Sequence, residues 1–192
     1  MERARVRELH YLCPLATVPS VLELGILSKN EQRRLCPDAP SLADPEIQEI
    51  REAKVIPGGG RLHSYANVYF DSHNAMLSRR RDLNDSIAIL RVNQSVLDLP
   101  DVIVTDRNAA ASDVIFRPVE PGLLALSEED VYRLWWATTR ETKQKRCAEV
   151  LVPGRVPAEY VLGAYVRTDS CRAALRALCP ELRVTVDTSR FF

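Results

Sequence analysis

Within Arg146-Cys147-Ala148-Glu149-Val150-Leu151-Val152 a single carboxylate stands at the mouth of an apolar, β-branched run. Val150, Leu151 and Val152 read as a buried strand, ended by Pro153-Gly154. Glu149 is thereby held at a strand end, partly withdrawn from water, with Lys143, Lys145 and Arg146 just upstream. A carboxylate in that setting is a candidate for acid–base or electrostatic chemistry. Taken alone, the segment fits a solvated acid opening an edge strand better than a catalytic one. Two basic runs, Arg79-Arg80-Arg81 and Lys143-Gln144-Lys145-Arg146, are each either a solvated face or a track for phosphates.

The rest of the composition bounds these options. With 192 residues, 46% of them hydrophobic and 27% charged, the chain has the material for one domain with a sizeable core, spanning residues 1–192. The formal net charge is zero, so contact with nucleic acid must come from local patches and not from a global field. The five cysteines are scattered and lack a CxxC pair, which points to a reducing compartment and no zinc site; no metal is expected. No apolar run approaches a membrane span, and Met1-Glu2-Arg3-Ala4-Arg5 is not followed by a signal-type core, so a cytoplasmic location is expected.

The elements that must position the acid can be read in turn. Residues 8–12 form a short strand ended by Cys13-Pro14, and Thr17 is a candidate cap for a helix that tolerates Pro19 early and stops at Gly25. Residues 28–44 read as a loop with a short helix, and 46–55 as a helix carrying Ile47, Ile50 and Arg51. Pro57-Gly58-Gly59-Gly60 lacks the GxxxxGK[ST] pattern and reads as a hinge. Strands are expected at 68–70, 87–92, 102–104, 160–166 and 183–186, with helices near 75–77 and at 170–178. Residues 106–136 read as a long irregular stretch. Strands and helices mixed without βαβ regularity imply an α+β domain, and no GxGxxG follows a strand to build a dinucleotide crevice.

Taken in order, several segments form a pattern. They are the early strand with His10; the helix at 18–24 followed by Gly25-Ile26-Leu27; Arg51 within Ile47 to Val55; and Leu62-His63-Ser64-Tyr65-Ala66-Asn67-Val68-Tyr69-Phe70. Ala75-Met76-Leu77, Thr105-Asp106-Arg107-Asn108-Ala109-Ala110-Ala111-Ser112 and Ala148-Glu149-Val150-Leu151-Val152 follow. Together they resemble, over nearly the whole chain, the DarT family, whose members ADP-ribosylate bases in single-stranded DNA and are paired with a macrodomain antitoxin. Two segments depart from it. Leu12 stands where family members usually carry the threonine of His-x-Thr, and Ser64 with Ala66-Asn67-Val68 replaces the family's Asp and Val-Pro-Phe.

The resemblance implies a mono-ADP-ribosyltransferase fold, a split and mostly antiparallel sheet flanked by helices, with NAD+ as co-substrate. It implies Glu149 and Arg51 as the catalytic pair. The carboxylate would oppose charge at the ribose C1′ or assist proton removal, and the guanidinium would offer a planar donor fork to phosphate or carbonyl. It implies His10, Tyr11, Leu12, Leu27, Arg51 and Tyr69 around NAD+. Tyr65, Tyr69 and Phe70 fit either stacking surfaces or core, Arg51 alone also fits an exposed arginine paired with Glu46 or Glu49, and His63 and His73 read as structural. For single-stranded DNA the implied residues are Arg107, Asn108, Lys143, Lys145 and Arg146, with Trp135 and Trp136 either stacking on bases or anchoring the core. A DarG-like macrodomain antitoxin is the implied protein partner.

Overall fold

A computed structural model describes residues 1–132 and 139–192. Trp135 and Trp136 lie outside the described residues. The elements run β1 (Leu9–Pro14), α1 (Val18–Leu24), β2 (Ile26–Leu27), α2 (Lys29–Leu35), α3 (Pro45–Ala53), β3 (Tyr65–Tyr69), α4 (Ala75–Arg79), β4 (Ile87–Val92) and β5 (Ile103–Thr105). They continue with β6 (Phe116–Pro118), α5 (Val119–Ala125), α6 (Glu128–Tyr132), α7 (Arg140–Lys145), β7 (Glu149–Pro153), β8 (Arg155–Val156), β9 (Val161–Val166), α8 (Asp169–Leu178) and β10 (Val184–Val186).

Eight strands form one sheet in the order β10-β9-β4-β1-β3-β7-β5-β6, antiparallel except for the β9–β10 pair, and β2 and β8 form a separate two-stranded ribbon. The central strands are apolar on both faces because both faces are covered. Ala88, Leu90, Val92, Val150 and Val152 enter one cluster with Val18 and Val21 of α1 and Leu175 of α8. Leu12, Tyr69, Ile87 and Ile89 turn the other way, against Leu77 of α4 and Phe191. Strand parity then fixes the acid: with Val150 and Val152 on the first face, Glu149 and Leu151 take the second.

The expected split is visible in the pairing. β1 runs beside β4 along its whole length, from Leu9↔Val92 to Pro14↔Ile87, and β3 runs beside β7 from Tyr65↔Pro153 to Tyr69↔Glu149. β1 and β3 meet only at His10↔Tyr69. Beyond that rung the two half-sheets diverge and a cavity opens between them.

Several local readings are corrected. β1 continues through Cys13-Pro14, since a proline at a strand end removes one donor and leaves the extended backbone intact. Thr17 does not cap α1; its hydroxyl donates to the Pro14 carbonyl at 2.8 Å. Residues 106–115 are irregular as read, but 116–132 carry β6, α5 and α6, whose short lengths gave no period to read. β7 is an inner strand between β3 and β5, so Glu149 opens no sheet edge.

Candidate active site

Helix α3 starts where Asp44 accepts a hydrogen bond from the Glu46 N–H at 3.1 Å and Pro45 supplies a preset φ. Four residues apart, Ile47 and Arg51 share one face of this helix and both line the cavity, whereas Ile50 turns toward solvent. Arg51 is buried, and its Nη1 donates to both oxygens of Glu149, at 3.2 and 3.1 Å. The alternative partners Glu46 and Glu49 play no part in this pair. Glu149 has no exposed surface at all. Its Oε1 also accepts from the Ala109 backbone N–H at 2.9 Å, and its own N–H donates to Thr105 Oγ1 at 2.9 Å. A carboxylate so far from water is tolerated because an arginine and a peptide N–H satisfy it.

The guanidinium lies between the carboxylate and the cavity. Arg51 lines the space and Glu149 does not. The cavity measures about 680 Å³, within the range that holds a drug-sized or dinucleotide ligand. Leu12, Val21, Leu27, Tyr69 and Met76 give it apolar wall, and Asn67, Asn108, Gln32 and Gln48 give it amide groups. At its rim stand Arg79 and Arg80 from the end of α4 and Arg140 and Lys143 from α7. Tyr69 faces Glu149 across the β3–β7 ladder, and burial together with the Glu149 charge pushes its phenol far above the usual range. Burial likewise raises the Cys147 thiol to about 11, so this cavity-lining sulfur is no nucleophile near neutrality.

The structure therefore gathers Tyr11, Leu12, Leu27, Arg51, Tyr69, Asn108 and Lys143 around one cavity with Glu149 behind Arg51. Four expected residues are not brought there. His10 lines a second, smaller cavity, where its Nε2 lies 3.2 Å from Glu8 Oε1. Arg107 is turned into ion pairs with Asp106 and Asp113. Lys145 pairs with Asp130 and Glu141, each at 3.3 Å. Arg146 is buried and pairs with Asp71 at 2.5 Å, which makes it a core strut and not a phosphate contact. Of the undecided aromatics, Phe70 is core and Tyr65 packs beside Ile56 and Leu62. Sequence reading missed Arg140 and the Ala109 N–H. The first stands outside the basic run, and a backbone donor has no residue type to announce it.

Among the described residues no group of three or more His, Cys, Asp or Glu is placed to hold a metal, and no helix is long and apolar enough to cross a membrane. Residues 10–191 match the family model described as "ssDNA thymidine ADP-ribosyltransferase, DarT". The chain is 31% identical over 196 residues to a DNA ADP-ribosyl transferase–DNA ADP-ribosyl glycohydrolase fusion protein of Thermosipho africanus, a match covering 98% of this chain and 50% of that one. It is 30% identical to a DNA ADP-ribosyl transferase of Thermus aquaticus over 80% of this chain and 72% of that one. The fold superposes on the solved Thermosipho africanus DarTG in complex with ADP-ribose with a TM-score of 0.87, 27% identity, and coverage of 97% of this chain and 51% of that one. The chain thus spans half the length of the fusion protein it matches.

Proposed function

This chain belongs to the DarT family, and from that premise we propose that it transfers ADP-ribose from NAD+ to a thymidine base in single-stranded DNA. The observation that carries the reading is the buried Arg51–Glu149 pair set against the wall of a cavity large enough for a dinucleotide. In this reaction the bond between ribose C1′ and nicotinamide breaks, with its electron pair leaving on neutral nicotinamide. A base nitrogen then forms the new bond to C1′ and gives up its proton. NAD+ supplies the activated ribose; the residues supply position and charge.

Leu12, Leu27 and Tyr69 offer flat apolar contact for a ring, and Arg51 offers a donor fork for a phosphate or carbonyl oxygen. Glu149 contributes the negative charge that favours positive charge at C1′ and accepts the proton lost by the base. Because Arg51 screens it from the cavity, the carboxylate reaches the reacting atoms only once the guanidinium turns toward the substrate. Arg140 and Lys143 suit the phosphates of the acceptor strand, with Asn108 on the same cavity, while Arg79 pairs with Asp44 and Arg80 donates to the Leu42 carbonyl.

Residues 1–192 act as one ADP-ribosyltransferase domain. A separate or fused ADP-ribosyl glycohydrolase of the macrodomain type would reverse the modification, in keeping with the fusion relative, and would make this chain the toxin of a toxin–antitoxin pair. Five free cysteines support a reducing, cytoplasmic setting. The test is incubation with NAD+ and single-stranded oligonucleotides, followed by mass spectrometry of the DNA. A gain of one ADP-ribose per strand, confined to thymidine after digestion to nucleosides, is expected. Labelling of RNA or protein with DNA left unmodified would overturn the reading.

A further inference from the structure

The second cavity, of about 250 Å³, lies at the closed end of the split and is lined by Arg7, Glu8, His10, Phe70, Tyr132, Tyr165 and Arg190. Among the described residues two of its polar groups lack a partner. His10, 2% exposed, has a buried Nδ1 with no hydrogen bond, and the buried Tyr132 hydroxyl has none either. Buried polar atoms left open in this way are rare, and two on one cavity point to a ligand that brings hydrogen-bonding atoms to both. Burial lifts the Glu8 carboxyl, but hydrogen bonds with His10, Arg91 and Tyr165 outweigh it and bring it down to about 2. Nε2 of His10 is engaged with the Glu8 carboxylate, so Nδ1 is the ring atom left open to a ligand. Burial keeps the Tyr132 phenol neutral, up at about 12, with the nearby Arg7 backbone N–H working against it, so its O–H is available to a carbonyl or ring nitrogen.

Hydrogen-bonding atoms set around the edge of a flat ring are what a nucleobase offers. The surroundings fit the rest of a nucleotide. Phe70 and Tyr132 supply ring surface, and the guanidiniums of Arg7, Arg91 and Arg190 outnumber the carboxylates Glu8 and Asp187 that pair with the last two. Two of those guanidiniums lie 5.0 Å from the centre of the Tyr165 ring, and that of Arg7 lies 5.9 Å from the centre of the Tyr132 ring. Position gives the ligand its identity. Glu149, Tyr69 and His10 are successive cross-strand neighbours on one face of the sheet, which puts His10 two strand spacings, roughly 10 Å, from the acid. We propose that this cavity receives the base of a nucleotide neighbouring the modified one in the acceptor strand, and so sets the sequence context in which the enzyme acts. The proposal rests on the DNA-modifying reading above.

The test is binding of labelled single-stranded oligonucleotides without NAD+, in which the nucleotides around the thymidine are replaced one at a time by an abasic residue. Loss of one flanking base should weaken binding to the parent protein about tenfold. In Tyr132→Phe, which keeps the ring, and in Tyr165→Leu, the intact strand should bind several-fold more weakly, and removal of that same base should cost much less than in the parent. Release of nicotinamide from NAD+ without DNA should be unchanged in both variants. Parent-like dependence on every flanking base in both variants, or a parent indifferent to all of them, would overturn the assignment. Mass spectrometry of the same strands with NAD+ judges the DNA-modifying reading separately, since binding through this cavity is measured whether or not transfer occurs.

Discussion

Glu149 and Arg51 break differently when each is removed, because one is sealed and the other faces the cavity. Glu149→Gln keeps the shape and the hydrogen bond from the Ala109 N–H but removes the charge. Transfer should fall by at least about 10²–10³-fold while NAD+ binding changes little, as measured by product mass against calorimetric titration. Arg51→Ala leaves a buried carboxylate unpaired and should lower stability by about 3–5 kcal/mol in urea unfolding. Combining it with Glu149→Gln should restore most of that loss, which would separate the structural share of the pair from its chemical share. Arg51→Lys should be as inactive as Arg51→Ala, since one ammonium cannot reproduce a fork of donors. Both residues were legible in the sequence, through an acid heading an apolar run and an arginine on the helix segment carried by the family pattern. The Ala109 donor and the depth of Glu149 were not, since both depend on chain brought in from 40 residues away.

At the scale of elements, the run Lys143-Gln144-Lys145-Arg146 shows why a charge cluster in sequence need not be one in space. It winds as the end of α7, and each residue turns about 100° from the last. Lys143 therefore meets the cavity, Lys145 meets Asp130 and Arg146 enters the core. Conversely, Gly25 was legible as a helix stop, and the structure adds why nothing else fits there. Its φ is 85°, and a Cβ would stand 2.3 Å from the Val156 carbonyl oxygen of β8. Gly25→Ala should cost at least about 2 kcal/mol and lower the thermal midpoint clearly. Glu8 knits β1, β4 and β9 through His10, Arg91 and Tyr165. Its folded pKa lies below the unfolded value, so its stabilisation is full above about 4.5 and fades as pH falls toward about 2. Glu8→Gln should therefore be less stable than the parent at pH 7, by up to about 2 kcal/mol for this partly screened group, and urea midpoints should converge as pH drops from 6 to 3.

Over the whole molecule the positive and negative charges cancel, so electrostatic attraction of DNA rests on where the cations sit. Arg79, Arg80, Arg140 and Lys143 border one opening, although α4 and α7 are far apart in the chain. Composition gave the zero balance and the strand pattern gave the α+β class, but no linear reading could place these four together. Replacing Arg140 and Lys143 with Gln should lower the salt dependence of single-stranded DNA binding by roughly 1–1.5 in log–log slope, with NAD+ binding nearly unchanged. An unchanged slope would move the phosphate contacts elsewhere on the surface.

The solitary His10↔Tyr69 rung has a further meaning. A sheet that parts at its middle owns two edges inside the protein, and along them the peptide groups of β1 and β3 have no strand opposite. Elsewhere such edges invite a foreign strand. Here the gap belongs to the cavity lined by Tyr11, Leu12, Cys13 and Asn67, so an amide or a ribose of a bound substrate would complete a ladder that the chain leaves unfinished. Hydrogen exchange should record this as slowed exchange on NAD+ addition at residues 11–13 and 66–67, with the outer pairing of β9 and β10 unaffected.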